Sequence, residues 1–122
     1  MVERIEDMPA GTIGIRASGK LTREDYRAVL EPALREAVDA GEVRCLFLLT
    51  DFEGLEAGAL LQDAKTGLNL GIGHHSAWKR LALVTDADWV AKAMHMFAWL
   101  TPGEVMICAP DELEKARSWV AD

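Results

Sequence analysis

Three aspartates, Asp51, Asp86 and Asp111, each follow an apolar run that predicts a parallel strand. They should therefore gather at the carboxyl edge of one sheet, where open α/β sheets take their ligands. Clustered carboxylates there could hold Mg²⁺, but Asp86 and Asp111 also stand where helix caps are expected. His74 and His75 are adjacent and His95 lies on a predicted helix, so no ligand spacing for zinc arises. Neither Cys45 nor Cys108 precedes a helix that would activate it, and no Ser or Cys occupies a nucleophile elbow. Gly71-Ile72-Gly73 follows a predicted helix, whereas a phosphate loop follows a strand. These patterns predict no catalytic residue, no metal site and no cofactor.

The most informative stretch is Ala87 to Leu100, ADWVAKAMHMFAWL. At helical spacing, Val90, Ala93, Phe97 and Leu100 form a core stripe flanked by Trp89 and Met96. Asp88, Lys92 and His95 form the solvent stripe, and Trp99 falls on it. Met94 lies on the opposite flank. An amphipathic ring on a wet face suits a binding surface, and methionines suit adaptable apolar contacts. Trp99 could equally fold back onto Pro102. With Leu68 and Leu70 from the preceding helix, Trp89, Met94, Met96 and Trp99 are the candidate ligand or interface residues. The charges of Lys79 and Arg80 beside Trp78 would suit an anionic head group.

Positioning these residues requires a regular α/β frame. Val2 to Asp7 and Thr12 to Ser18 predict an antiparallel pair turning at Gly11. Thr22 and Asp25 form a capping box for a first helix that Gly41 ends, with a kink expected at Pro32. Val43 to Thr50, Leu81 to Thr85 and Glu104 to Cys108 are unbroken apolar runs, as strands buried on both faces should be. A second helix is predicted over about 57–71, the third over 87–100, and a fourth over Glu112 to Val120, capped by Asp111 with Glu114. The order β-β-α-β-α-β-α-β-α predicts a five-stranded, mixed but mostly parallel sheet packed with four helices. Both cysteines should be reduced and buried in strands.

Composition fits one domain spanning residues 1–122, with 50% hydrophobic and 27% charged residues. A net charge of −7 argues against nucleic acid, whose phosphates demand clustered cations. No secretion signal or integral membrane segment is recognisable, which predicts a cytoplasmic protein.

Blocks along nearly the whole chain resemble the SpoIIAA-like family, which has the fold of STAS and CRAL-TRIO domains. They are GKLTREDY (Gly19 to Tyr26), DFEG (Asp51 to Gly54), KRLALVTD (Lys79 to Asp86), Trp89, LTPGEV (Leu100 to Val105) and EKARSW (Glu114 to Trp119). The resemblance implies a non-enzymatic module. STAS switches of the anti-sigma-antagonist type are phosphorylated on a Ser at the start of the second helix. Here no Ser or Thr occurs between Asp51 and Lys65, so that switch does not carry over. CRAL-TRIO relatives hold apolar ligands. Cys108 and Ala109 stand where the family leads one to expect an aromatic and an acidic residue. The expected function is a non-catalytic binding domain for a small apolar or lipid-like ligand, with peripheral membrane association. The alternative is a STAS-like protein-interaction module, acting as a homodimer or with another protein.

Overall fold

The computed structural model describes residues 2–55, 78–97 and 103–122. Five strands form one sheet in the order β1-β2-β3-β4-β5: β1 Val2–Ile5, β2 Ile13–Leu21, β3 Val43–Leu55, β4 Trp78–Thr85 and β5 Glu104–Cys108. Only β1 runs antiparallel; β2 to β5 are parallel. The sheet is the mixed, mostly parallel one that the apolar runs predict, and Val43 to Thr50 lies at its centre.

Side chains alternate across β3, and both of its faces are covered. Val43 and Cys45 pack with Ile15, Ala33, Leu34 and Val38 on one side. Leu46 and Leu48 pack with Ala82, Val84, Ala116 and Val120 on the other. A half-buried strand would carry polar residues at every second position; this one has apolar residues on both faces because helices cover both. The helices are α1 Arg23–Asp25, α2 Glu31–Asp39, α3 Asp88–Phe97 and α4 Leu113–Ala121. Among the described residues, α2 packs in the first of these clusters and α4 in the second. The predicted helix over 57–71 and the last residues of the third helix lie outside the described residues.

The first capping box forms as its spacing predicts. The Thr22 hydroxyl accepts from the Asp25 N–H at 3.0 Å, and the Asp25 carboxylate accepts from the Thr22 N–H at 3.3 Å. The irregularity expected at Pro32 appears one turn earlier, as a π-helical turn over Tyr26–Leu30. Pro32 has no N–H for a regular bond to residue 28, so a widened turn ahead of α2 avoids an unmet carbonyl. Gly41, at φ 94°, ends α2 in the left-handed region.

The fourth helix starts differently from its predicted form. A 3₁₀ turn over Pro110–Glu112 precedes α4, placing Asp111 inside the turn instead of at the cap. Glu112 supplies the contact, its carboxylate accepting from the Ala109 N–H at 3.3 Å. Proline at the first position fixes this tighter start.

Two arginines hold the other end of α4. Arg80 donates to the Trp119 carbonyl at 2.6 Å and Arg44 to the Val120 carbonyl at 3.1 Å. These are carbonyls of the last turn, at the negative end of the helix dipole, and that of Trp119 also accepts from the Asp122 N–H at 3.2 Å. Arg80 also pairs with Glu104 at 3.0 Å and lies 4.8 Å from the Trp119 ring centroid. It is therefore committed to the fold and is not the free cation expected for an anionic head group. Midway along α4, Arg117 pairs at 3.0 Å with Asp7, which lies just beyond β1. That hydrogen bond, more than any other influence, holds the Asp7 carboxyl below its ordinary range.

Cys45 is fully buried, but Cys108 is only half-buried, which corrects the expectation for that residue. It lies on β5, the last strand of the sheet, which among the described residues has a neighbour on one side only. Burial, then the nearby Glu112 charge, raises the Cys108 pKa; burial alone raises that of Cys45. A thiol reagent should label Cys108 in the native protein more slowly than a free cysteine, and faster as pH rises. Cys45 should react only after unfolding; equal rates would contradict the packing. Gly103 offers a second check. At φ 80°, a Cβ there would lie 2.7 Å from the Lys79 carbonyl oxygen and 2.8 Å from that of Trp78. Gly103→Ala should lower stability by about 2 kcal/mol or more in urea unfolding, because backbone must move.

Candidate carboxyl-edge aromatic site

The strand β3 does not stop at Thr50 as its apolar run suggests. It continues to Leu55, pairing with β2 alone after β4 has ended at Thr85. The ladder shifts register between Ala17 and Lys20. There Gly19 has φ 66° and, on the opposing strand, Asp51 has φ 52° and Gly54 φ 122°. Aspartate tolerates the left-handed region better than most residues. Through this irregular stretch the chain presents Phe52 beside the start of α3.

Phe52 packs against the core on the α2 side. Its ring stacks on Trp89, with centroids 6.0 Å apart and planes inclined by 19°. Trp89 remains 53% exposed, the one large hydrophobic side chain so open among the described residues. Gly54 lies beside the ring as well: a Cβ at that position would be in ordinary contact with the far edge of the indole, 4.0 Å away. The indole is thus backed by protein on one side and open on the other.

Thr85 fixes the turn that delivers Trp89. Its buried hydroxyl donates to the Leu49 carbonyl at 2.8 Å and accepts from the Ala87 N–H at 3.1 Å. One side chain thereby joins the last β3–β4 pair to the start of α3. The Ala87 carbonyl accepts from Val90 and Ala91, so Ala87 occupies the cap position expected for Asp86. Asp86 stands just outside the helix and is exposed.

Of the candidate residues, Trp89 lies at this edge, exposed instead of merely flanking a core stripe. Val90 is buried, while Asp88, Lys92 and His95 are exposed, as the helical stripes predict. Met94 and Met96 belong to α3, but their side chains, with Leu68, Leu70 and Trp99, lie outside the described residues. His74 and His75 do too. Asp51, Asp86 and Asp111 are all exposed, each beyond the apolar part of its strand. No group of three potential metal-ligating side chains converges among the described residues. Sequence reasoning does not single out Phe52 or Thr85 as site residues. The apolar residue inside DFEG and the threonine closing KRLALVT are the available signals.

Thr85→Val keeps the shape of the side chain but leaves the Ala87 N–H and Leu49 carbonyl without this partner. Stability should fall by about 1–3 kcal/mol in urea unfolding. An unchanged midpoint would show that the hydroxyl does not hold the turn.

Comparison with known proteins places this geometry in a family. A SpoIIAA-like family model matches residues 12–121. The crystal structure of an uncharacterised protein with a SpoIIAA-like fold from Shewanella loihica PV-4 superposes with a TM-score of 0.71. It is 28% identical, over 98% of this chain and 93% of that one. No match arises among curated proteins. No helix among the described residues is long and apolar enough to cross a membrane. With the family model spanning β2 to α4 and the same fold in a solved structure, the chain belongs to the SpoIIAA-like family.

Proposed function

We propose that this protein is a non-catalytic binding module, a single cytoplasmic domain that engages a partner protein through the carboxyl edge of its sheet. The observation that carries this reading is Trp89, held by Phe52 yet 53% exposed. Single exposed apolar residues are ordinary. A tryptophan already fixed in position is different, because it can bury a large area at little further entropic cost.

The second reading is a small apolar or lipid-like ligand bordered by Leu68, Leu70, Met94, Met96 and Trp99, with peripheral membrane association. The methionine and aromatic content of residues 87–100 supports it. The engagement of Arg80 with Glu104 and the Trp119 carbonyl weighs against its anionic head group. Self-association through the same surface would be a form of the first reading.

Native mass spectrometry of the purified protein separates the two. The expected result is chain mass without an added ligand, as monomer or dimer. A co-purified acyl-chain mass would overturn the partner-protein reading. In parallel, Trp89→Ala should cost about 1 kcal/mol in urea unfolding, the scale of an aromatic pair. A loss of several kcal/mol would mean that the ring serves the core.

A further inference from the structure

The chemistry around Trp89 also bears on its partner. Asp86 and Asp88 lie within one turn of it, and Asp51 and Glu53 flank Phe52 in sequence; all four are exposed. The Glu53 carboxylate lies over β2, 3.7 Å from where a Cβ on Gly19 would stand. Glu24, also exposed, follows β2 at the same edge, while Asp25 beside it is engaged in the Thr22 capping box. Against these stand Lys20, Arg23 and Lys92. The amino end of α3 carries a partial positive charge, roughly half a unit, and Asp88 in its first turn opposes it. Among the described residues at this edge, the exposed carboxylates of Glu24, Asp51, Glu53, Asp86 and Asp88 outnumber the cations Lys20, Arg23 and Lys92. An aromatic face attracts cations through its quadrupole, most strongly for tryptophan.

From this juxtaposition we infer that the carboxyl edge docks an arginine- or lysine-bearing segment of a partner protein, with a cationic side chain on the Trp89 face and neighbouring ones against the carboxylates. This rests on the binding-module reading and adds the partner's charge. The recognition is complementary in two respects. A guanidinium can stack flat on the indole and still donate in its plane to a carboxylate. The exposed acidic residues would also steer a basic segment during approach, an effect that salt screens. An acidic segment, or an anionic membrane, would meet repulsion at the same edge.

The test uses the full chain and three twelve-residue peptides, identical except for arginine, glutamine or glutamate at four positions. Binding is measured by isothermal titration calorimetry, with amide and indole shifts recorded by NMR. The arginine peptide should bind at least tenfold more tightly than the glutamine peptide and shift Phe52, Gly54 and the Trp89 indole. Its affinity should fall as salt rises. Trp89→Ala and the double variant Asp86→Asn/Asp88→Asn should each weaken it at least fivefold, with both variants still folded by circular dichroism. Equal affinity of the arginine and glutamine peptides, with shifts at this edge, would overturn the basic-partner inference and leave the binding-module reading standing. Undiminished arginine-peptide binding by Trp89→Ala would also overturn it, as attraction to the acidic chain as a whole. Absence of binding by all three peptides would overturn the inference too, and the broader reading would then rest on the mass spectrometry.

Discussion

The structure depends on the burial of β3 from both sides. Val43, Cys45 and Leu46 are completely enclosed, and a strand so apolar has no face that could be left to water. Its neighbours satisfy its backbone, and helices must cover each surface. The crossover from β2 brings α2 onto one face, while α4 returns beneath the other after β5. Each layer thus follows from covering one strand. Cys45 is part of that core and is chemically quiet for the same reason.

The two ends of the sheet resolve their unpaired polar groups differently. At the amino end, Arg44 and Arg80 reach the last carbonyls of α4, so charged side chains complete the fold there. At the carboxyl end, β3 outlasts β4, and Thr85 joins the parting strands to α3. Asp51, Glu53, Asp86 and Asp88 remain exposed at that end. Positive charge serves structure at one edge, while aromatic and acidic groups stay open to solvent at the other. This asymmetry makes the carboxyl edge the better candidate for recognition.

An exposed aromatic pair usually has little to hold it still. Here Phe52 is anchored in the core, and Trp89 enters on a turn fixed by a buried hydroxyl. The left-handed conformations of Asp51 and Gly54 let β3 continue past the register shift and keep Phe52 within reach. The resulting surface needs little ordering to bind, which is what preorganisation contributes to recognition.

Most of the frame was legible in the sequence because local chemistry dictates it. Unbroken apolar runs require two covered faces, Thr22 and Asp25 cap one another over three residues, and Gly41 supplies a conformation other residues resist. The family blocks point to the same fold. The site was only partly legible. Trp89 was recognised by type, but its exposure depends on where β4 ends relative to β3, and no single segment encodes that difference. The partnership of Phe52 with Trp89 joins a strand residue to one on a later crossover helix, far apart in the chain. Likewise, only packing distinguishes enclosed Cys45 from edge-strand Cys108, and only the return of α4 commits Arg80 to structure. Sequence determined which segments must be strands and helices through periodicity and capping; tertiary structure decided which side chains remained open, because exposure depends on neighbours brought from distant parts of the chain.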